Sequence, residues 1–208
     1  MVSWESLCQD YQVDSSAFLT YSSYSGIISH GDHLDLHAKQ DTTNKYYARL
    51  LEKYKENTGI TELIISEQKA WLEYYKSTSE AYSMIVLGKS SCQFKSDYLK
   101  NYKIAICEHR IMALQSMWLE DISVWNFNDT CRWDEVGYEY DRIEKCITRD
   151  KSLKNYFPLS LQLQILKLDK SRFHKYLNSR FELANKVNFY DENCVLHYKS
   201  VILGKMLK

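Results

Sequence analysis

Between Ile60 and Leu87 the chain runs for 28 residues, ITELIISEQKAWLEYYKSTSEAYSMIVL, without a glycine or a proline. Leu63, Ile64, Trp71, Tyr75, Tyr82 and Ile85 recur at three-, four- and seven-residue spacings along it, which places one apolar stripe on a single long helix. Thr58 and Thr61 offer hydroxyls to the unpaired amides at its start. Gly88 suits the left-handed residue that often follows a helix end. A helix with such a stripe needs apolar partners from elsewhere in the chain.

The same scarcity of breakers holds throughout. One proline and six glycines in 208 residues, with 17 tyrosines and five tryptophans to cover helix faces, point to an all-α fold. DTTNKYYARLLEKYKEN, residues 41–57, reads as a helix capped by Asp41 or Thr42, with Tyr46, Leu50 and Tyr54 in line and Tyr47 and Leu51 beside them. The short Asn57-Thr58-Gly59 turn then predicts that this helix and the long one pair antiparallel, apolar stripes facing. The Tyr46-Tyr47 and Tyr74-Tyr75 pairs read as parts of closing helix faces, and Glu52, Lys53, Lys55 and Glu56 as a solvated face. A third helix lies within residues 92–121, on Phe94, Tyr98, Tyr102, Ala105, His109 and Met112.

These elements form a three-helix antiparallel unit followed by a smaller helical extension. The polar passage from Trp125 to Asp129 divides the chain into residues 1–124 and residues 125–208. In the extension, Val136, Tyr140, Ile143 and Ile147 make one stripe over residues 134–148, and Pro158 marks a bend. Helical periodicity resumes over Leu161–Leu168, Lys170–Val187 and Asn193–Leu207. Val2–Gln12 has the spacing of a short helix, whereas Ser15–Ile28 has no firm period.

Several function classes lose support at once. With 27 basic and 27 acidic residues there is no electrostatic footprint for nucleic acid or for an anionic membrane. No apolar run reaches the roughly 20 residues needed to span a bilayer. The N-terminus has neither the basic nor the apolar region of a signal peptide, so the sequence as written predicts a cytoplasmic protein, or a periplasmic one whose signal peptide has been removed. Cys8, Cys92, Cys107, Cys131, Cys146 and Cys194 include no C-x-x-C pair, and their even number allows disulfides or buried thiols.

The most chemical segment is SHGDHLDLH. His30, His33 and His37 would share a helix face, the geometry of a nitrogen-ligated metal site. His33 and His37 also have the spacing of H-E-x-x-H, but Leu34 stands where that motif carries its general base. Gly31 and Asp32 read as a helix start with the histidines solvated. No metal and no cofactor are therefore expected. Phosphate loops, G-x-S-x-G and dinucleotide fingerprints are absent from the sequence. Cys107, Glu108 and His109 diverge by about 100° per residue on a helix, so they read as a buried Cys beside a half-buried His, not as a dyad.

Asn44-Lys45-x-Tyr47-x-x-Leu50-Leu51 after Asp41, then Gln68-x-Ala70-Trp71-Leu72-x-Tyr74, Gly88, and Cys107 with Arg110 and Leu114 resemble the LprI-type lysozyme-inhibitor domain over residues 41–115. That family's helices read D-x-x-L-N-x-x-Y-x-x-L-L and Q-x-A-W-L-x-Y-R, followed by a Gly-containing loop and a Cys-bearing third helix. Ser79 stands here where the family usually carries a Cys after the Trp, and Tyr75 replaces the Arg after the motif Tyr. The resemblance implies an exported or lipid-anchored, non-enzymatic protein. Such a protein would block a cell-wall hydrolase or another bacterial toxin with a rigid helical face and a loop at Gly88, Lys89, Ser90 and Ser91. The alternatives are a metal-dependent enzyme built on His30, His33 and His37, and a translocated effector that binds a host protein.

Overall fold

The computed structural model describes residues 30–89, 95–125, 133–149 and 157–206, with side chains for 36–88, 96–124, 133–149 and 157–206. Six α-helices and no strand occur among them: α1 His30–Lys53, α2 Thr58–Ile85, α3 Lys95–Leu119, α4 Trp133–Arg149, α5 Leu159–Val187 and α6 Glu192–Gly204. Short 3-10 turns, Leu87–Lys89 and Ile122–Trp125, follow α2 and α3. The fold is all-α. Val2–Gln12 and Ser15–Ile28 lie outside the described residues.

Side-chain pairs set the directions. Glu67 with Arg180, Glu73 with Lys175 and Ser77 with Asp169 run α5 antiparallel along α2. Lys39 with Glu108 and Lys53 with Glu120 lay α1 parallel to α3. Asp191 with Ser116 and Tyr198 with the Ala105 carbonyl return α6 antiparallel to α3. Glu67–Arg110 with Thr78–Tyr102 sets α3 antiparallel to α2, and Trp133–Phe173 with Tyr140–Asp169 sets α5 antiparallel to α4. Successive helices thus alternate in direction around α2, which buries 14 of its 28 residues and so must face several neighbours.

The expected facing of α1 and α2 is not the main pairing. α1 packs chiefly on α3, and α2 chiefly on α5. Trp118 of α3 explains α1: its ring meets Tyr46 at 6.1 Å, Arg49 lies over it at 4.9 Å, and Tyr46, Tyr47, Leu51 and Tyr54 pack with it around buried Leu50. The aromatic face of α5 explains α2: Tyr74 stacks on Tyr176 at 5.6 Å and meets Phe173 at 5.2 Å. One apolar cluster joins Trp71, Tyr74, Tyr102 and Ala113 to Val136, Tyr140, Phe173, Tyr176 and Leu196, so the core continues across residue 125. On α4, Val136, Tyr140, Ile143 and Ile147 are all buried, as their spacing predicts.

Helix ends carry the corrections. α1 passes through Asp41 and Thr42 without interruption, and Thr42 and Thr43 bond the carbonyls of Ala38 and Lys39 within the helix instead of capping it. At α2 the cap is Asn57, whose Oδ1 accepts from Ile60 N at 3.2 Å, while the Thr61 hydroxyl donates back to the Tyr54 and Asn57 carbonyls. No described glycine has a positive φ, and Gly88 sits buried in the turn after α2. Left-handed ends fall instead on Glu120 and Asn188. In each, the next amide reaches back to a carbonyl of the last turn, Asp121 N to Ser116 O and Phe189 N to Ala184 O. Pro158 is the residue before α5, its carbonyl accepting from Leu161 and Gln162, and α5 runs unbroken through Leu168–Lys170, where two helices were expected.

Asn57→Ala removes the one side-chain cap seen on α2. It lowers the free energy of unfolding by about 1 kcal/mol, with an unchanged denaturant slope, and Asn57→Asp retains most of the stability. Equilibrium urea denaturation measures both.

Candidate functional site

Charge is buried where the stripes meet. Glu67 on α2, Arg110 on α3, Arg180 on α5 and Asp191 between α5 and α6 are each 0–1% exposed. Arg110 donates through Nη1 and Nη2 to the two Glu67 oxygens at 2.5 Å, and through Nη2 to Gln68 Oε1. Arg180 reaches Glu67 from the other side at 3.3 Å and grips Asp191 with Nε at 3.1 Å and Nη2 at 2.7 Å. Its Nη2 also donates to the Ala113 carbonyl, and the Ser116 hydroxyl donates to Asp191. Two cations and two carboxylates alternate in a neutral chain joining α2, α3, α5 and the start of α6.

A second buried pair lies along the same core. Lys199 Nζ meets Asp169 Oδ2 at 2.8 Å, surrounded by the rings of Tyr74, Phe173 and Tyr140 at 4.6, 5.2 and 5.3 Å. Tyr140 and Ser77 donate to Asp169, and Lys199 also donates to Thr78 Oγ1. Both carboxylates and both cations of the first chain, and this pair as well, are thereby supplied with directed bonds. That is the condition under which buried charge is tolerated.

The electrostatics follow from this packing. Burial pushes the Glu67 carboxyl upward, but the Arg110 guanidinium, and behind it Arg180, outweighs burial and holds it below the ordinary value. Burial lowers Lys199 despite the opposing pull of Asp169. His109, fully buried and stacked on Tyr198 at 3.9 Å, is held well below its ordinary pKa, first by burial and then by Arg110, Arg180 and Lys199. It was expected to be half-buried; closure by α6 on the Tyr198 side accounts for the difference.

Cys107 is buried and hydrogen-bonded to Tyr75, and burial pushes its thiol up to about 12. It is therefore a core thiol at neutral pH, without the thiolate that nucleophilic chemistry requires. Cys107, Cys146 and Cys194 carry free thiols; Cys8, Cys92 and Cys131 lie outside the described residues. Ser79 is buried, its hydroxyl bonded to the Tyr75 carbonyl at 2.8 Å.

His30, His33 and His37 fall on α1. His37 is exposed, and the side chains of His30 and His33 lie outside the described residues. Among the described residues no group of three or more His, Cys, Asp and Glu is placed to hold a metal ion, and no helix is long and apolar enough to cross a membrane. Gly88 belongs to the turn at the α2 end of the bundle, while the Lys89 side chain, Ser90 and Ser91 lie outside the described residues. Of the buried charges, Glu67, Asp169, Arg180, Asp191 and Lys199 escaped the sequence reading, and Arg110 entered it only as a motif residue. Their signal was position: Glu67 fills the seven-residue gap between Ile64 and Trp71, and Asp169, Arg180 and Lys199 likewise sit on otherwise apolar stripes.

His109 makes stability depend on pH. The unfolded histidine takes a proton near pH 6.5, whereas the folded one resists until a much lower pH. Its contribution is thus fully present above about pH 6.5 and is lost as pH falls toward the folded pKa, with a limiting slope of about 1.4 kcal/mol per pH unit. Unfolding free energies measured between pH 7.5 and pH 5 should decline, and His109→Phe, which keeps a ring against Tyr198, should flatten that decline. Comparison with family models, curated proteins and solved structures finds no match to this chain.

Proposed function

We propose that this chain acts by binding another protein, as an inhibitor or immunity-type protein that covers the active site of a cell-wall hydrolase of the lysozyme kind or of another bacterial toxin. Two things support the reading. Residues 41–115 carry the LprI-like helix motifs quoted above, and of their positions Leu50, Gln68, Ala70, Trp71, Tyr74, Cys107, Arg110 and Leu114 are buried in the bundle, while Asp41 and Lys45 are exposed. Side chains fixed in this way hold the outer face in one shape before a partner arrives, which limits the entropy lost on binding.

The observation that carries the reading is Tyr98. It stands in the first turn of α3, 54% exposed, at the bundle end where α2 closes in the Leu87–Lys89 turn. Tyr98 stands one helical turn before Tyr102, whose ring stacks on Tyr82 at 3.9 Å, so an exposed aromatic residue shares a helix face with a rigid aromatic pair. Exposed tyrosine on a rigid support buries much area at low entropic cost, as interface anchors do. The proposed contact surface is Tyr98 together with the loop that follows Gly88.

Size-exclusion chromatography and calorimetry with lysozyme at micromolar concentration test it. The expected result is a complex that Tyr98→Ala weakens by roughly tenfold, corresponding to about 1.4 kcal/mol. No complex with the intact chain removes the lysozyme reading, and an unchanged affinity in the variant removes this end of the bundle as the contact surface.

A further inference from the structure

Among the described residues, three nitrogen donors inside the α2–α3 interface meet no acceptor: Gln68 Nε2, Trp71 Nε1 and Arg110 Nε. They belong to side chains already in contact. Gln68 and Trp71 are three residues apart on α2, so they lie on one helix face. Gln68 Oε1 accepts from Arg110 Nη2, and the Arg110 guanidinium carbon lies 5.2 Å from the Trp71 ring centre. All three residues are 0–1% exposed, out of reach of bulk solvent.

The two buried arginines provide an internal comparison. A guanidinium presents parallel N–H bonds along its side edge, from Nε and Nη2, and along its end edge, from Nη1 and Nη2. Arg180 offers its side edge to Asp191, and both oxygens of that carboxylate are used. Arg110 gives its end edge to Glu67, while its side edge receives Gln68 Oε1 at Nη2 and nothing from the described residues at Nε. Three unmade donor bonds would cost an amount comparable with the whole stability of a domain this size. An acceptor beyond the described side chains is therefore required.

Charge decides its kind. Arg110 and Arg180 are already balanced by Glu67 and Asp191, so an anion would leave a net buried negative charge. A neutral oxygen fits. We infer that an ordered water molecule is part of this site, accepting from Arg110 Nε and from at least one of Gln68 Nε2 and Trp71 Nε1.

The test is made on the intact chain. The Arg110 Hε resonance, assigned by correlation to its own backbone, should show direct cross-relaxation with a long-lived water. A crystal structure should place an isolated oxygen within hydrogen-bond distance of Arg110 Nε and of either the Gln68 amide or the Trp71 indole nitrogen. Arg110 Hε contacts confined to protein protons, a side-chain oxygen accepting that proton, or density for an anion there would each overturn the inference.

Discussion

The arrangement of this bundle depends on the contact between Glu67 and its two arginines. Removing a carboxylate and a guanidinium from water costs several kcal/mol per ion, which only close, directed pairing can offset. Glu67 achieves this with Arg110 at 2.5 Å on one side and Arg180 at 3.3 Å on the other, and Asp191 closes the far end. A one-turn slip of α5 along α2 would move Arg180 by about 5.4 Å and leave charge buried without a partner. Apolar stripes tolerate such slips far better. The ions therefore select one register among the several that Tyr, Phe and Leu side chains would accept.

This division of labour accounts for the rest of the interior. Aromatic rings supply the buried area: Trp71 on Tyr75, Tyr74 on Tyr176, Tyr82 on Tyr102. The second pair, Asp169 with Lys199, repeats the principle farther along the core and ties α6 to α5 and α2. Each half of the chain pairs much of its own charge, Glu67 with Arg110 before residue 125 and Asp169 with Lys199 and Arg180 with Asp191 after it. The halves are joined by the buried Glu67–Arg180 bond, the exposed Glu73–Lys175 pair, the hydroxyl bonds of Ser77, Thr78 and Ser116, the bonds of Arg180 and Tyr198 to the Ala113 and Ala105 carbonyls, and the shared apolar core. For a protein proposed to act by surface contact, this interior keeps the outer face in a single shape.

Apolar periodicity made the helices legible. Val136, Tyr140, Ile143 and Ile147 on α4, and Trp71, Tyr75, Tyr82 and Ile85 on α2, are buried as their spacing predicts. Where one charged residue interrupted a stripe, the period misled: Asp169 divided α5 into two expected helices, although Lys199, thirty residues on, neutralises it inside the core. Caps were misassigned for a related reason, because a threonine can turn its hydroxyl back to an i−4 carbonyl in mid-helix, as Thr42 and Thr43 do. Helix pairing lay beyond local reading altogether. The short turn after α1 fixes where α2 begins, but Trp118 and the α5 aromatics, distant in sequence, decide which faces meet. Of the site, sequence pointed to the loop after Gly88; Tyr98 entered that reading only as one position on a helical face, since exposure is a property of the assembled bundle.

The most direct measurement is a double-mutant cycle between Glu67 and Arg180, the buried ion pair that crosses residue 125 among the described residues. With Glu67→Gln, Arg180→Met and the double variant followed by equilibrium denaturation, the account predicts a coupling free energy above about 1 kcal/mol, because either single change already removes the Glu67–Arg180 attraction and the double variant cannot lose it twice. Additive effects within about 0.5 kcal/mol would contradict it, because the two helices would then be held in register by apolar packing alone.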